Sequence, residues 1–95
     1  MAQIEVQNAL QPGKTYRVDA AKYAAARAAL LAVMPQGAPG ETPAVLQKAM
    51  LAHLSQDLFP AGATAGWWMK CVQLDLEAKG IIARGAKGPV RLFRV

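Results

Sequence analysis

The stretch GWWMKCVQLDLEAKGIIARGAKGPVRLFRV, residues 66–95, decides the fold because two different periodicities meet within it. Its first half repeats apolar residues every three or four positions, which gives one helical stripe of Trp67, Cys71, Leu74 and Ala78. Gly80 is a typical helix stop, and the segments IIAR and PVRLFRV beyond it are rich in strand-forming residues. The loop GAKGP between them favours a turn. The stretch therefore predicts a helix over residues 64–79 and a two-stranded hairpin within 81–95.

Two further helices are predicted upstream of this stretch. Asp19 is a good N-cap for the alanine-rich segment AAKYAAARAALLAVM, which predicts a first helix over residues 20–34. Thr42 and Pro43 are typical of a helix start, and they open a second helix over residues 42–54. The order is then three helices followed by a hairpin, which is a small α+β fold.

The N-terminal segment, residues 1–18, is interpreted as an arm. Its residues IEVQ alternate like a short strand, and Pro12 with Gly13 indicates a turn. Residues 19–95 then form the folded domain. A chain of 95 residues is long enough for one small domain and too short for two.

Composition and charge narrow the class of protein. Eleven Lys and Arg against six Asp and Glu give a net charge of +5, which favours attraction to polyanions. The single cysteine, Cys71, excludes an internal disulfide framework and indicates a reducing compartment, so we expect a cytoplasmic protein. Polar residues within the first ten positions argue against a secretory signal, and the longest apolar run, interrupted by Arg27, is too short to span a membrane. We therefore expect no membrane association.

The element order, with LEAKGII closing a long third helix ahead of a basic hairpin, resembles the winged helix-turn-helix fold. In that fold the third helix commonly enters the DNA major groove, and the hairpin, or wing, touches the backbone or the minor groove. The segments PGKTYRVDAAKY, DLFPAGATAGWWMK and VQLDLEAKGII look more narrowly like an uncharacterised bacterial family known only as a domain of unknown function. This second resemblance covers nearly the whole chain and implies no activity, catalytic residue or ligand.

The winged-helix resemblance implies a double-stranded DNA surface in two parts. The polar side of the third helix would carry the reading residues Thr64, Lys70, Gln73 and Glu77. The wing would contact phosphates through Arg84, Lys87, Arg91 and Arg94. Glutamine can pair with an adenine edge and glutamate can accept from a cytosine amine, but Asp75 and Glu77 would also repel phosphates. The pattern therefore favours backbone attraction over sequence-specific reading.

Two alternatives to DNA binding stay open. The basic hairpin could be an edge strand whose charges prevent pairing with other chains. We expect both Trp67 and Trp68 to contribute to the core, Trp67 more fully, and the aromatic surface left exposed, with Trp68 as its interface residue, would suit a homodimer or another protein. The rival hypothesis is therefore a winged helix used as a protein-interaction module.

No enzyme is predicted. Cys71 and His53 could act as nucleophile and base, but Cys71 lies on an apolar stripe where a buried thiol is inert. His53 is expected on the inward or boundary face of the second helix. One Cys and one His are too few for a closed zinc site, and the sequence contains neither GxGxxG nor GxxxxGK[ST]. We therefore expect no cofactor and no metal.

Overall fold

The computed structural model describes residues 2–85 and 88–95, which form three helices and two antiparallel hairpins. The elements in chain order are β1 Gln3–Gln7, β2 Thr15–Asp19, α1 Ala20–Val33, α2 Pro43–Met50, α3 Ala65–Ala78, β3 Ile82–Arg84 and β4 Leu92–Arg94. Short 3-10 turns follow α2 and precede α3. The predicted order of three helices and a C-terminal hairpin is confirmed. Lys87, which was assigned to the wing, lies outside the described residues.

The helices begin where side chains can cap them. The carboxylate of Asp19 accepts a hydrogen bond of 2.9 Å from the backbone N–H of Lys22, at the start of α1. The hydroxyl of Thr42 accepts from the backbone N–H three residues further on, at 3.5 Å, and Pro43 fills the first position of α2. α2 is shorter than predicted because the chain tightens into the 3-10 turn Leu51–His53.

The N-terminal segment forms a hairpin that packs on the helices. In its register Ile4 lies opposite Val18 and Val6 lies opposite Tyr16, so these four side chains share one face. Val6 is fully buried and Val18 is nearly so, within the same apolar cluster as the helices. The division into an arm and a domain stays a prediction. The structure shows that the segment contributes side chains to the core.

α3 lies at the centre of the molecule. It contacts α1, α2 and a strand from each hairpin, and every residue over 71–76 is buried. α1 presents Tyr23, Ala26 and Leu30 to the core, and its small alanines allow close approach. Phe59, from the loop before α3, is fully buried and packs edge-on against Trp68.

The C-terminal hairpin is tied to the loop between α1 and α2. Leu92 of β4 exchanges two backbone hydrogen bonds with Glu41, of 2.8 and 3.0 Å. Gly40, beside Glu41, has a φ of +81°, and a Cβ at this position would overlap the backbone carbonyl of Leu92. The loop thus forms an antiparallel β-bridge with β4 and attaches the C-terminal hairpin to the segment between α1 and α2.

Candidate functional site

The third helix does not present the polar side that the DNA hypothesis requires. Thr64 and Lys70 are exposed, as predicted, but Gln73 is only 2% exposed. The prediction that Gln73 faces solvent is wrong, because α3 is covered along its middle two turns by the elements around it. Gln73 therefore has no route to a base edge without unpacking of the core.

The remaining reading residue, Glu77, is engaged with the wing. Its carboxylate accepts two hydrogen bonds of 2.9 Å from the Arg84 guanidinium, and this contact raises the pKa of Arg84. The pair joins the end of α3 to β3. One wing cation is thus neutralised by a carboxylate of the same surface.

The other wing cations differ in their surroundings. The guanidinium of Arg91 lies 3.6 Å from a carboxylate oxygen of Glu41 and donates to the carbonyl oxygen of Gly40. Arg94 is exposed, and within residues 2–85 and 88–95 it makes no ion pair. The described part of the wing is therefore less available for phosphates than its composition indicates.

The two tryptophans are buried in the reverse of the expected order. Trp68, predicted to be the less buried and named as the interface residue, is 7% exposed, whereas Trp67, assigned more firmly to the core, is 55% exposed. The reason is the rotation of α3, which turns the row of Trp68, Val72 and Leu76 fully inward. The sequence held a signal for this, because that row carries bulkier aliphatic residues than the row of Trp67, Cys71 and Ala78.

A buried carboxylate, Asp75, organises the core beneath this surface, and no pattern in the sequence predicts its burial. Asp75 has no exposed area and accepts from the backbone N–H of Gln7 and the Lys79 ammonium, each at 2.8 Å, and from the Tyr23 hydroxyl. Burial alone would raise the pKa of Asp75, but the hydrogen bonds from Lys79, Tyr23 and Gln7 lower it overall. The ionised carboxylate thereby ties α1, α3 and β1 together.

Cys71 lies beside this network, and its thiol is free and buried. Its thiol is 3% exposed, and burial raises the pKa of Cys71, so little thiolate forms at neutral pH. The Tyr16 hydroxyl lies 3.5 Å from its Sγ atom, and burial together with this contact raises the pKa of Tyr16 to about 12. The prediction that Cys71 is buried is confirmed. His53 is exposed in the 3-10 turn after α2, so its expected inward or boundary position is wrong.

A pocket of about 270 Å³ opens between the N-terminal hairpin and α3, and we call it the Trp67 pocket. It is lined by Asn8, Tyr16, Trp67, Lys70, Cys71 and Leu74. A second cleft, of about 480 Å³, lies further along α3 beneath the hairpin turn and includes Lys14. Between the two, the backbone N–H of Ala9 donates to the carbonyl of Leu74 at 3.3 Å. The hairpin thus crosses α3 and leaves a hollow on each side.

The described residues contain neither a group of metal-binding side chains nor a helix that could span a membrane. Across 2–85 and 88–95, no three side chains of His, Cys, Asp or Glu come together in a group that would hold a metal ion. None of the helices within the same ranges has the length and apolar character needed to cross a membrane.

Comparison with known proteins places the chain in a family. A family of unknown function (DUF6958) matches residues 3–92. The chain belongs to this family. The DUF6958 match begins at the first residue of β1 and ends at the first residue of β4. No curated protein and no solved structure matches the chain.

Proposed function

We propose that this DUF6958 protein is a protein-interaction module whose docking surface is the Trp67 pocket. The observation that carries the proposal is the 55% exposure of the Trp67 indole at the edge of a concave site. Tryptophan and tyrosine supply most of the binding energy at many protein interfaces, and Tyr16 stands in the same pocket. No catalytic role is proposed for this surface, and a cytoplasmic location stays part of the proposal.

The framework under the pocket is well suited to docking. Tyr16 is held by its contact with Cys71, and the hairpin that carries Tyr16 is anchored on α3 through Asp75. A surface whose side chains are already ordered loses little conformational entropy when a partner binds. The network therefore supports binding without a rearrangement of the fold.

The winged helix-turn-helix arrangement belongs to the same proposal. It is supported by the element order and by the two backbone hydrogen bonds between Glu41 and Leu92, which attach the C-terminal hairpin to the loop between α1 and α2. Such a fold serves both DNA and protein partners, so the surface must decide between them. Burial of Gln73 and the pairing of Glu77 with Arg84 favour the protein partner.

DNA binding is the second candidate, and the net charge of +5 is the observation that favours it. Among the predicted DNA contacts in the described part of the chain, Lys70 and Arg94 are the cations that are exposed and make no ion pair. Contacts from these two would be to phosphates, so the affinity would depend steeply on salt and little on sequence.

The test compares matched variants of the full chain in an extract of the organism that encodes it. Tagged wild type, Trp67→Ala and Val45→Ala are incubated with the extract, and retained proteins are quantified by mass spectrometry. Val45 is a suitable control because it is 50% exposed on α2 and does not line the pocket. We expect a partner that wild type and Val45→Ala retain and Trp67→Ala loses, with circular dichroism showing that all three are folded.

Two outcomes count against the module. One is a set of retained proteins that does not change with Trp67→Ala. The other is binding of duplex DNA by the wild type at about 50 mM salt with an affinity that falls steeply as salt rises. In that case Arg94→Gln should weaken the complex while Trp67→Ala leaves it unchanged, and the DNA candidate replaces the module.

A further inference from the structure

We infer that the partner presents an acidic segment with one aliphatic side chain, which enters the Trp67 pocket while neighbouring carboxylates lie against Lys70. This inference rests on the proposed function and specifies the chemistry of the partner. It follows from two properties of the pocket, its apolar interior and the sign of the charge around it.

The interior of the pocket suits an aliphatic group. Tyr16, Trp67 and Leu74 contribute apolar surface, and Cys71 adds a protonated thiol that is a weak hydrogen-bonding group. A polar side chain placed there would lose hydrogen bonds to water and regain few, which is unfavourable. The volume of about 270 Å³ lies just below the usual range for small-molecule sites, which starts near 300 Å³, so one anchoring side chain is the better fit.

The rim of the pocket is positive. Lys70 is exposed, and across residues 2–85 and 88–95 its ammonium makes no ion pair. Lys14 adds a second cation in the adjoining cleft.

The carboxylates of α3 do not offset this charge. Asp75 is completely buried and held by three donors, while Glu77 accepts from the Nε and Nη2 atoms of Arg84. A partner that approaches the pocket therefore meets cations first, and electrostatic complementarity favours an acidic segment.

The experiment begins with a random peptide library displayed on phage. The full-length protein is the bait, and the Trp67→Ala variant removes phage that bind elsewhere. We expect the enriched sequences to carry Asp or Glu next to Leu, Ile, Val or Met. Enrichment of basic or uncharged sequences, or no enrichment over the variant, would overturn the inference.

A synthetic peptide with the enriched sequence is then titrated by calorimetry. Lys70→Glu should weaken its binding about fivefold, as expected for loss of a surface ion pair and gain of repulsion. Trp67→Ala should weaken it about tenfold or more, as at an interface hot spot. Val45→Ala should leave it unchanged.

A charge-swap control keeps the inference falsifiable if Trp67→Ala does not fold. The same peptide with its Asp and Glu replaced by Lys should prefer Lys70→Glu over the wild type, because the pair is then restored with opposite signs. Equal affinity of the swapped peptide for both proteins would contradict a role for Lys70.

Other occupants give distinct results. If the wild type self-associates through Trp67 and does not bind the acidic peptide, the occupant of the pocket is a second copy of the chain. Duplex DNA that displaces the peptide marks the surface as a phosphate site. Either result overturns the inference. A cellular partner lost with Trp67→Ala but retained by Lys70→Glu would leave the proposed function standing and remove only its acidic chemistry.

Discussion

Gly40 occupies the point where the α1–α2 loop meets β4, and here a single missing carbon matters. Its φ of +81° is costly for other residues, and a Cβ would overlap the backbone carbonyl of Leu92. Gly37 in the same loop has a φ of +73° but open space around its Cα. A comparison of substitutions at the two positions therefore separates the cost of a positive φ from the cost of steric overlap.

We expect Gly40→Ala to lower the free energy of unfolding by about 2–4 kcal/mol, since both effects apply. Gly37→Ala should cost only about 1 kcal/mol, the conformational part. Urea unfolding followed by circular dichroism measures both. Equal losses would show that β4 shifts freely to accept the added carbon.

Asp75 makes the free energy of unfolding depend on pH in the acid range. Its pKa is lowered in the folded protein, so its contribution is present above the unfolded value, near 4, and is lost as pH falls through the folded value. Asp75→Asn should flatten this loss and cost about 2–3 kcal/mol at neutral pH, because the charge that three donors share is gone. Asp57→Asn, on an exposed loop, should cost less than about 0.5 kcal/mol. If the free energy of unfolding of Asp75→Asn fell with pH as steeply as that of the wild type, Asp75 would not be the source of the acid dependence.

We expect both tyrosines to ionise at a higher pH in the folded protein than in the unfolded chain. Burial and the contact with Cys71 raise the pKa of Tyr16 to about 12, and burial with the hydrogen bond to Asp75 raises the pKa of Tyr23 as well. Because the folded values lie above the unfolded value of about 10, this stabilisation is complete below pH 10 and is lost as pH rises towards 12. Ultraviolet titration of the native protein should show no tyrosinate near pH 10, whereas the urea-unfolded chain should show both. A native transition near pH 10 would mean that the hairpin opens.

At the scale of elements, the N-terminal hairpin is the part that most changes the interpretation of the chain. Val6 is completely buried, while Val90 is 39% exposed. We expect Val6→Ala to lower the free energy of unfolding by about 1–3 kcal/mol, since it leaves a cavity in the core. Val90→Ala should stay within about 0.5 kcal/mol of the wild type. Similar small losses in thermal or urea unfolding would indicate a hairpin that detaches without disturbing the helices.

The elements were predictable where their causes are local. Asp19 and Thr42 cap helices whose periodicity lies within the same segment, so their starts could be read directly. The rotation of α3 depends instead on distant residues, because Tyr23 and Gln7 bond to Asp75 across 52 and 68 positions. Hence the third helix was predicted, but the burial of Trp67 and Trp68 was ranked in the wrong order. The Trp67 pocket was missed for the same reason, since Tyr16 reaches it from the hairpin.

At the scale of the whole molecule, net charge is a poor guide to the surface. Of the eleven Lys and Arg behind the value of +5, Arg84 and Arg91 are paired with carboxylates, and Lys79 is bound to Asp75. Composition alone could not show this, because Arg84 and Arg91 pair with carboxylates in other parts of the fold. What remains exposed at the Trp67 pocket is Lys70.

The position of Lys70 beside the exposed Trp67 predicts how charged quenchers act on tryptophan fluorescence. Trp67 is exposed beside Lys70 and Trp68 is buried, so iodide should quench the wild type more strongly than caesium does. Trp67→Phe should remove most of the quenching, whereas Trp68→Phe should preserve it. Lys70→Glu should narrow the difference between the two ions. Quenching carried by Trp68, or stronger quenching by caesium, would contradict the arrangement.

Asp19 belongs to two elements at once: it pairs with Gln3 in the hairpin ladder and caps α1, so no linking residue separates β2 from the helix. The direction in which α1 begins is therefore set directly by the end of β2. Each residue added at this junction would rotate the helix by about 100° relative to the strand, as the helical pitch dictates. Since Tyr16 lies on β2, three residues before Asp19, such an insertion should also change the position of its ring relative to Trp67.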